Sequence, residues 1–355
     1  MQNKIETNHN VLYIGLSTNK TLNDLLKTEF SGRKKIILTD DNVFEYWIEQ
    51  LVTSVPELSN AEIIQLPAGE DSKCIEIVMQ VLETLSENKI ERNDLILNFG
   101  GGVITDLGGF IASIYKRGIP FINIPTSLLS QIDASIGGKT GIDLGPHKNQ
   151  IGTFNHANAV LINPNYLSTL PSEELKSGYA EMLKHGLIAS QKHWNDLKHI
   201  NYSNVDMLTT IIFDSIQIKH QIVDIDPHEK NIRKALNFGH TIGHAIEGYF
   251  IKTGKPIKHG YAIACGMIAE SYISYKKGIL DKKEWNEVHY ILTDLFDKII
   301  IDPIVFPQIM RLMENDKKNK AGKINFTLLT GIGTHIINQE VSKENILEAL
   351  EHTLV

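Results

Sequence analysis

Apolar residues in the first half of the chain recur with two different periods. Short runs rich in β-branched residues end at polar, glycine or proline positions, which predicts strands over residues 10–16, 35–40, 61–67, 94–102 and 120–127. Between them, apolar residues at helical spacing predict helices over 42–52 and 74–87. This alternation predicts an α/β domain whose parallel sheet is covered by helices and binds ligands at the carboxyl ends of its strands.

From about Thr169 onward the helical period dominates. Long segments with apolar residues at helical spacing follow one another at residues 172–190, 205–226, 235–250 and 260–278. One later run, over 324–330, is typical of a strand. We therefore expect two domains, an α/β domain over 1–168 and a mainly α-helical domain over 169–355.

Composition excludes several classes of protein. The 355 residues are 42% hydrophobic and 22% charged with a net charge of −7, which is typical of a folded globular chain and not of a disordered one. No long basic stretch is present, so we expect no nucleic-acid partner. Cys74 and Cys265 lie far apart and outside any Cys-x-x-Cys pair, which argues against a disulfide framework and against a cysteine zinc site.

No segment of the sequence predicts a signal peptide or a membrane-spanning helix. The N-terminal residues MQNKIETNHN lack the apolar core of a signal peptide. The longest segment free of charged residues, 149–172, contains several asparagines and two prolines, which excludes it as a membrane span. We expect a cytoplasmic protein without a membrane partner.

Glycine-rich segments offer candidate anion-binding turns. Gly100, Gly101 and Gly102 lie between a predicted strand and a predicted helix, where free N–H groups and the helix dipole favour a phosphate. Their spacing differs from the dinucleotide-binding G-x-G-x-x-G motif, so a tight turn without a ligand is an equal alternative. In the next such segment, 67–73, Glu70 suits a ribose hydroxyl and Lys73 a phosphate, although the segment alone is typical of a surface loop.

A third glycine-rich segment, 130–152, shows no clear period and predicts a long functional loop. It contains Asp133, Lys139, Lys148 and Asn149. Lysines in such a loop suit a ligand that carries a phosphate or a carboxylate.

Histidines and a glutamate in the second half form a candidate metal site. His240 and His244 are four residues apart in a helical pattern, which places both rings on one face of a helix. His259 precedes the next predicted helix, and Glu181 shares a helix face with Lys184. One carboxylate and two histidines are typical of a zinc site with open positions for substrate or water. Spacing alone does not select which two of the three histidines bind the metal.

Longer motifs carry a resemblance to a known family. In chain order they are GGGVITDLGGF, YKRGIPFINIPTSLLSQIDASIGGKTGID, HKNQIGTF, LPSEELKSGYAEMLKHGLI, RKALNFGHTIGHAIE, KHGYAIACGM and NDKKN. With these motifs the chain resembles the 3-dehydroquinate synthases of the sugar phosphate cyclase group over about residues 39–329. The resemblance implies an N-terminal NAD-binding domain, a C-terminal metal-binding domain and a homodimer.

The resemblance also implies a reaction, the second step of the shikimate pathway of aromatic amino acid biosynthesis. A small anionic sugar phosphate, 3-deoxy-D-arabino-heptulosonate 7-phosphate, is converted into 3-dehydroquinate and phosphate. NAD is reduced and reoxidised within one turnover, phosphate leaves by β-elimination, and an intramolecular aldol reaction closes the ring. The divalent metal of the family is usually Zn²⁺, which Co²⁺ often replaces.

Individual roles follow from the resemblance residue by residue. The implied metal ligands are Glu181, His240 and His259, whereas His244 matches a proton-transfer histidine, Glu229 its acidic partner, and Lys139 a further catalytic position. The implied substrate positions are Arg117, Asp133, Lys139, Asn149, Lys184, Lys219, Arg233, Asn237 and one of Lys317 and Lys318, for which we take Lys318. The implied NAD positions are Asp40, Asn42, Glu70, Lys73, Gly101, Gly102, Val103, Asp106, Thr126, Ser127, Lys139, Lys148, Leu167 and Thr169.

Some residues depart from the family pattern, and three other functions stand as alternatives. Thr105 stands where the family commonly has glycine and Ser127 where it has threonine, and neither is an implied metal ligand. Relatives that act on sedoheptulose 7-phosphate tend to change the positions of Asn237 and His244, both retained here. A metal-dependent polyol dehydrogenase would release NADH as a product, and a NAD-binding sensor would need no catalytic ion.

Overall fold

The computed structural model describes residues 3–145, 147–201, 204–314 and 324–354. The strands are β1 (Asn3–Glu6), β2 (Val11–Ile14), β3 (Lys35–Asp40), β4 (Glu62–Leu66), β5 (Leu95–Gly100), β6 (Phe121–Pro125), β7 (Lys139–Leu144), β8 (His147–Phe154), β9 (Ala159–Ile162), β10 (Asn325–Gly331) and β11 (Thr334–Glu340). The helices are α1 (Thr18–Thr28), α2 (Asp41–Ser54), α3 (Ile75–Glu87), α4 (Gly102–Ile114), α5 (Ser172–Ala189), α6 (Gln191–Leu197), α7 (Val205–Ile225), α8 (His240–Lys252), α9 (His259–Lys276), α10 (Lys282–Leu295), α11 (Phe306–Glu314) and α12 (Lys343–Leu354).

Residue contacts divide the chain into two compact units. The first comprises residues 1–175 and 203–220, and the second comprises 176–202 and 221–355. The division therefore passes through α5 and again through α7, instead of following a single linker. None of the helices in the described ranges is both long and apolar enough to cross a membrane.

A seven-stranded sheet forms the centre of the first unit. Its strand order is β1-β2-β9-β6-β5-β3-β4, and only β1 pairs antiparallel to its neighbour. Strand β5 is buried along its whole length, as expected of a strand covered on both faces. On α2, Val43, Trp47 and Leu51 recur every four residues and pack into the core beside the sheet. The α/β prediction for this part of the chain is confirmed.

The second unit is built around helices, which confirms the prediction of a mainly helical C-terminal part. Helix α9 is buried on nearly all sides, so its apolar residues do not form a single stripe. Residues of α8, α11 and α12 join it in one apolar core together with strand β10. The run predicted as a strand over 324–330 is β10, which pairs antiparallel with β11.

The prediction of a long loop over 130–152 is wrong. A short π-helical turn covers Ser130–Ala134, and β7 and β8 form an antiparallel hairpin with Lys139 opposite Phe154. Gly141 and Gly152 face each other in this hairpin, and a Cβ on Gly152 would lie 2.2 Å from the carbonyl oxygen of Thr140. The glycines that suggested a loop therefore allow two backbones to approach closely.

Candidate active site

A contact between glycines brings helices α8 and α9 together. A Cβ on Gly266 of α9 would lie 1.9 Å from the carbonyl oxygen of Gly239 and 2.8 Å from the nitrogen of Gly243, so only glycine fits there. Gly239 has a left-handed φ of +78°, which turns the chain into α8 directly before His240. Since His259 is the first residue of α9, the packed pair presents a histidine at the start of each helix.

Two histidines face one buried carboxylate. The Nε2 atoms of His240 and His259 lie 3.5 Å and 3.6 Å from Oε1 of Glu181, which α5 places in the interior with no exposed surface. Ligands of a tetrahedral metal with bonds of about 2.0–2.2 Å lie about 3.3–3.6 Å apart. The nitrogen and oxygen atoms of this set therefore fit a divalent metal such as Zn²⁺ or Co²⁺.

The remaining ring nitrogen of each of these histidines is also held. Nδ1 of His240 lies 3.0 Å from the carbonyl oxygen of Phe238, so a neutral ring donates there and directs its Nε2 lone pair towards Glu181. Nδ1 of His259 lies 3.3 Å from Oε2 of the buried Glu247. Metal-binding histidines usually donate their second nitrogen to a carbonyl or a carboxylate in this way.

The charge around His259 also suits a cation. Burial acts to lower the pKa of His259, but hydrogen bonds to the carboxylates of Glu181 and Glu247 raise it to about 10. The surroundings therefore favour positive charge at this position, which a divalent ion supplies. Lys184, one turn further along α5 and almost fully buried, contacts the other carboxylate oxygen of Glu181.

His244 differs from these two histidines in its surroundings. It lies one turn after His240 on the same face of α8, as its spacing predicted, and its side chain is exposed. Its ring centroid is 5.0 Å from that of His240 and 5.7 Å from that of His259. A ring nitrogen of each of the three histidines lies within 4.8 Å of those of the others, so all three stay candidates by distance alone.

The loop after α7 carries three further predicted residues. Asn237 donates from Nδ2 to Oε1 of Glu229, whose φ is +57°, and Arg233 donates from Nη1 to the carbonyl oxygen of Pro227 at 2.6 Å. Asp226 accepts three backbone N–H groups of this loop at 2.6–3.1 Å. Burial acts to raise the pKa of the Asp226 carboxyl, but those bonds and the nearby charge of Arg233 outweigh it and lower that pKa. Asp226 was not predicted from the sequence, although an aspartate directly before a proline at a helix end is a turn signal.

The predicted NAD positions lie at the carboxyl edge of the parallel sheet. The chain leaves β3 towards β4 but leaves β5 towards β6, so the strand order reverses between β3 and β5. Such a reversal opens a crevice in which ligands of α/β proteins bind. Three groups of predicted residues lie at the ends of these neighbouring strands, namely Asp40 and Asn42 at the end of β3, Gly101, Gly102, Val103 and Asp106 after β5, and Thr126 and Ser127 after β6.

Glycines let helix α4 begin at this edge and pack closely on the sheet. A Cβ on Gly108 would lie 2.0 Å from Oδ1 of Asn98 in β5, and a Cβ on Gly109 would lie 2.6 Å from Cγ2 of Thr140 in β7. A Cβ on Gly101 would lie 3.4 Å from Oγ of Ser127, so it would fill the space beside the turn. The first backbone N–H groups of α4 have no partner within the helix and suit a phosphate, so the residues fit a dinucleotide.

Lys73 joins a predicted cofactor residue to a predicted substrate residue. Its side chain is 5% exposed, and its Nζ lies 2.6 Å from Oδ2 of Asp106 and 2.7 Å from Oδ1 of Asn149. Burial lowers the pKa of Lys73, but the carboxylates of Asp106 and Glu70 outweigh it and raise that pKa, so Lys73 stays charged. Asn149 has a φ of +53°, and its N–H donates to Asp143 at 2.7 Å.

Two predicted substrate residues form a second pair in the first unit. Lys219 of α7 contacts a carboxylate oxygen of Asp133 and donates to the Asp133 carbonyl oxygen at 2.7 Å. Arg117 is exposed and follows Lys116, and both have positive φ, of +67° and +47°. Two consecutive non-glycine residues in this region are uncommon, which is often a feature of functional segments.

The remaining predicted residues have the following positions. Lys139 is exposed at the start of β7, Lys148 in β8 has its Nζ 3.8 Å from Oε1 of Glu70, Leu167 is buried, and Oγ1 of Thr169 accepts a bond of 2.7 Å from Nε1 of Trp47. Lys317 and Lys318 lie outside the described residues.

Two residues that depart from the family pattern, Thr105 and Ser127, contact one common residue. Oγ1 of Thr105 lies 3.1 Å from Oγ of Ser130, and the backbone N–H of Ser130 donates to Oγ of Ser127 at 3.3 Å. These substitutions therefore belong to one hydrogen-bonded group that links α4 to the π-helical turn carrying Asp133.

Family models match most of the chain. The model described as 3-dehydroquinate synthase N-terminal matches residues 63–177, and the model described as 3-dehydroquinate synthase C-terminal matches residues 178–319. A 3-dehydroquinate synthase of Parabacteroides distasonis is 42% identical over 320 residues, which cover 90% of this chain and 90% of that protein.

Solved structures of related cyclases have the same fold. The 2-epi-5-epi-valiolone synthase of Streptomyces hygroscopicus, solved with NAD⁺ and Zn²⁺ bound, has a TM-score of 0.85 at 26% identity and covers 99% of this chain and 98% of its own. A 2-deoxy-scyllo-inosose synthase complexed with carbaglucose-6-phosphate, NAD⁺ and Co²⁺ has a TM-score of 0.88 at 23% identity over the full length of both chains. At that identity the second likeness shows the fold alone.

Proposed function

Because the chain belongs to the 3-dehydroquinate synthase family and has that lyase activity, we propose that Glu181, His240 and His259 hold its divalent metal and that NAD binds at the carboxyl edge of β3, β5 and β6. The enzyme converts 3-deoxy-D-arabino-heptulosonate 7-phosphate into 3-dehydroquinate and phosphate. One observation supports the metal site above all others. The Nε2 atoms of two histidines face the same oxygen of a buried carboxylate, and their Nδ1 atoms are held by Phe238 and Glu247.

When bound, the metal polarises substrate oxygens and NAD accepts and returns a hydride. The chain's own residues bind the substrate and move protons. His244 is exposed beside the two proposed ligands, so we assign it proton transfer at a ring nitrogen, with Glu229 as the acidic partner held by Asn237.

The charged and amide side chains among the proposed substrate contacts suit particular groups of the substrate. Arg117, Lys139, Lys148 and Asn149 suit the phosphate, because charge-assisted hydrogen bonds are the strongest that proteins make to such groups. Arg233 and Lys219 suit the carboxylate, since a guanidinium binds a carboxylate in a planar, bidentate manner. The other proposed substrate contacts are Asp133, Lys184 and Lys318.

The direct test supplies the purified protein with the heptulosonate phosphate, catalytic NAD and Zn²⁺. We expect phosphate and dehydroquinate to appear in equal amounts without net NADH. Turnover of sedoheptulose 7-phosphate instead would keep the metal and NAD sites and change the substrate. Net accumulation of NADH with a simple polyol would make the protein a dehydrogenase and refute the proposal.

Substitutions separate the proposed ligands from the proposed base. Glu181→Gln, His240→Ala and His259→Ala should each lose bound metal and activity together. His244→Ala should keep its metal, measured by elemental analysis, and should lose turnover. Loss of metal from the His244 variant alone would mean that His244 is a ligand and His259 or His240 is not.

We also propose that the metal in the cell is zinc and that the enzyme is a cytoplasmic homodimer. The donor set of two imidazoles and one carboxylate is typical of catalytic zinc. Elemental analysis of protein purified without added metal tests the first point. Sedimentation equilibrium tests the second, since the chain mass is 39.9 kDa and a dimer would have twice that mass.

A further inference from the structure

A buried carboxylate of α9 holds the first turn of α8. Glu270 has no exposed surface, and its Oε2 accepts the backbone N–H of Gly239 at 2.6 Å. Its Oε1 accepts the N–H groups of Thr241 and Ile242 at 3.1 Å each. Glu270 is not among the residues predicted from the sequence, although an acidic residue in the apolar run ACGMIAESYIS must find a buried partner.

These hydrogen bonds replace an ordinary helix cap. The first N–H groups of a helix have no partner within the helix, and a side chain at the N-cap usually accepts one of them. The N-cap of α8 is Gly239, which has no side chain and makes no side-chain cap. The capping acceptor therefore comes from α9, where the positive end of the α8 dipole favours its negative charge.

The position of this cap gives it a specific consequence. His240 lies between Gly239 and Thr241, so Glu270 holds the backbone on both sides of a proposed metal ligand. Glu270 belongs to α9, whose first residue is the second histidine ligand, His259. One carboxylate thus connects the helix that carries one ligand to the backbone that carries the other.

We propose that Glu270 is a positioning residue of the metal centre, which fixes the backbone at His240 and thereby sets its spacing from His259. This inference rests on the proposed metal role of the two histidines. It makes Glu270 part of the support of the site and not a ligand, and it predicts that a change at Glu270 alters metal affinity through backbone position alone.

The isosteric variant Glu270→Gln tests this role. An amide oxygen can replace one carboxylate oxygen, but the amide –NH₂ then faces a backbone N–H group, so one of the three bonds becomes a contact between two donors. Zn²⁺ affinity is measured by competition with a chromogenic chelator, without substrate or NAD. We expect Kd for Zn²⁺ to rise about 10–100-fold, the range typical of lost support around a metal ligand.

Asp94→Asn provides a matched control. Asp94 is a buried carboxylate of the first unit that accepts the backbone N–H groups of Lys34 and Glu91 at 2.9 Å and 2.6 Å. Both variants should lower the Tm of the metal-free protein, but only Glu270→Gln should weaken Zn²⁺ binding. A Glu270→Gln protein that has a lower Tm and an unchanged Kd for Zn²⁺ would overturn the proposal, because a merely structural cap would give that result.

A second variant keeps the proposal testable if Glu270→Gln does not fold. Glu270→Asp retains the charge and both oxygens but withdraws them by one methylene, so Kd for Zn²⁺ should rise by a smaller factor. An unchanged Kd in the aspartate variant would also overturn the role of Glu270. Failure of the wild-type protein to bind Zn²⁺ is a different result, since it would refute the proposed metal ligands and the positioning role with them.

Discussion

Replacing Gly266 by alanine should damage the metal centre without changing any of its ligands. The new methyl group would lie 1.9 Å from the carbonyl oxygen of Gly239 and 2.8 Å from the nitrogen of Gly243, whereas ordinary contacts begin at 3.4 Å. Relief of the closest contact requires α8 and α9 to separate there by about 1.5 Å. Overpacking of this kind costs about 1–3 kcal/mol of unfolding free energy.

The same displacement exceeds what a metal site tolerates. Gly239 directly precedes His240, whose Nε2 lies 3.5 Å from the Glu181 carboxylate. Metal–ligand distances vary by only about 0.2 Å, so a shift of more than an ångström removes a ligand from productive geometry. We expect Kd for Zn²⁺ to rise by about 10–100-fold and turnover to fall by on the order of 10²-fold.

Chelator competition and urea unfolding of the metal-free protein measure the two effects separately. Gly248→Ala is the matched control, because Gly248 lies in α8 and its added Cβ would approach only Cδ1 of Leu312, at 3.9 Å. That variant should bind Zn²⁺ normally and gain about 0.5–1 kcal/mol from the better helix propensity of alanine. Equal Zn²⁺ affinities for Gly266→Ala and Gly248→Ala would refute the reasoning that the glycine contact sets the ligand spacing.

Three other substitutions test separate parts of the structure. Glu247→Gln removes the carboxylate beside Nδ1 of His259 and should weaken Zn²⁺ binding about 10–100-fold in the chelator assay, which an unchanged affinity would contradict. Lys73→Met leaves the partly buried Asp106 without its ion-pair partner and should cost about 1–3 kcal/mol in urea unfolding, where a loss below about 0.5 kcal/mol would argue against a strong pair. Burial lowers the pKa of His193 from 6.5 to about 4. As pH falls from about 6.5 to about 4, the unfolded chain therefore binds a proton that the folded protein does not, and unfolding free energy is lost. His193→Gln should therefore reduce the loss of unfolding free energy between about pH 7 and pH 5 by about 2 kcal/mol, and equal losses in both proteins would exclude His193 as the cause.

Buried parallel strands were predicted well because their sequence signal is local. The run KIILTD over 35–40 gives the bounds of β3, and each of the other four predicted strands contains an observed one. In β3, β5 and β6 the apolar residues are buried from both sides, which produces continuous apolar runs, whereas the edge strand β4 alternates between exposed and less exposed positions. Strands β1 and β9 of this sheet were not predicted from the sequence. Strand β1 is mostly exposed and shows no apolar run, and β9 is a run of only four residues between asparagines.

The hairpin of β7 and β8 was missed for a different reason. Most of β8 is exposed, so it lacks the apolar alternation that identifies a half-buried strand. Its pairing depends on the backbone approach of Gly141 and Gly152, which no local pattern reveals. A glycine in a strand and a glycine in a loop look the same until the partner strand is known.

The candidate site was predictable in its residue types but not in its arrangement. Spacing placed His240 and His244 on one helix face, and α8 has that geometry. Which histidines bind the metal depends on contacts between residues that lie far apart in the sequence. These are the approach of Gly239 to Gly266 and the hydrogen bond between Nδ1 of His259 and the carboxylate of Glu247. Only the resemblance to a family anticipated that choice, and the metal-binding experiments decide it.

Buried charge in the second unit gives an independent argument for a cation. Around His240 and His259, the charged groups Glu181, Lys184 and Glu247 are each at most 4% exposed. Burial of charged groups lowers stability unless they are paired, and apolar residues of similar size would often stabilise a fold more. Two carboxylates beside one ammonium leave these three groups with one negative charge in excess. A divalent cation held by Glu181 supplies positive charge in place of the proton that the same carboxylates favour on His259, so an arrangement that is costly for the metal-free fold becomes favourable once the metal is bound.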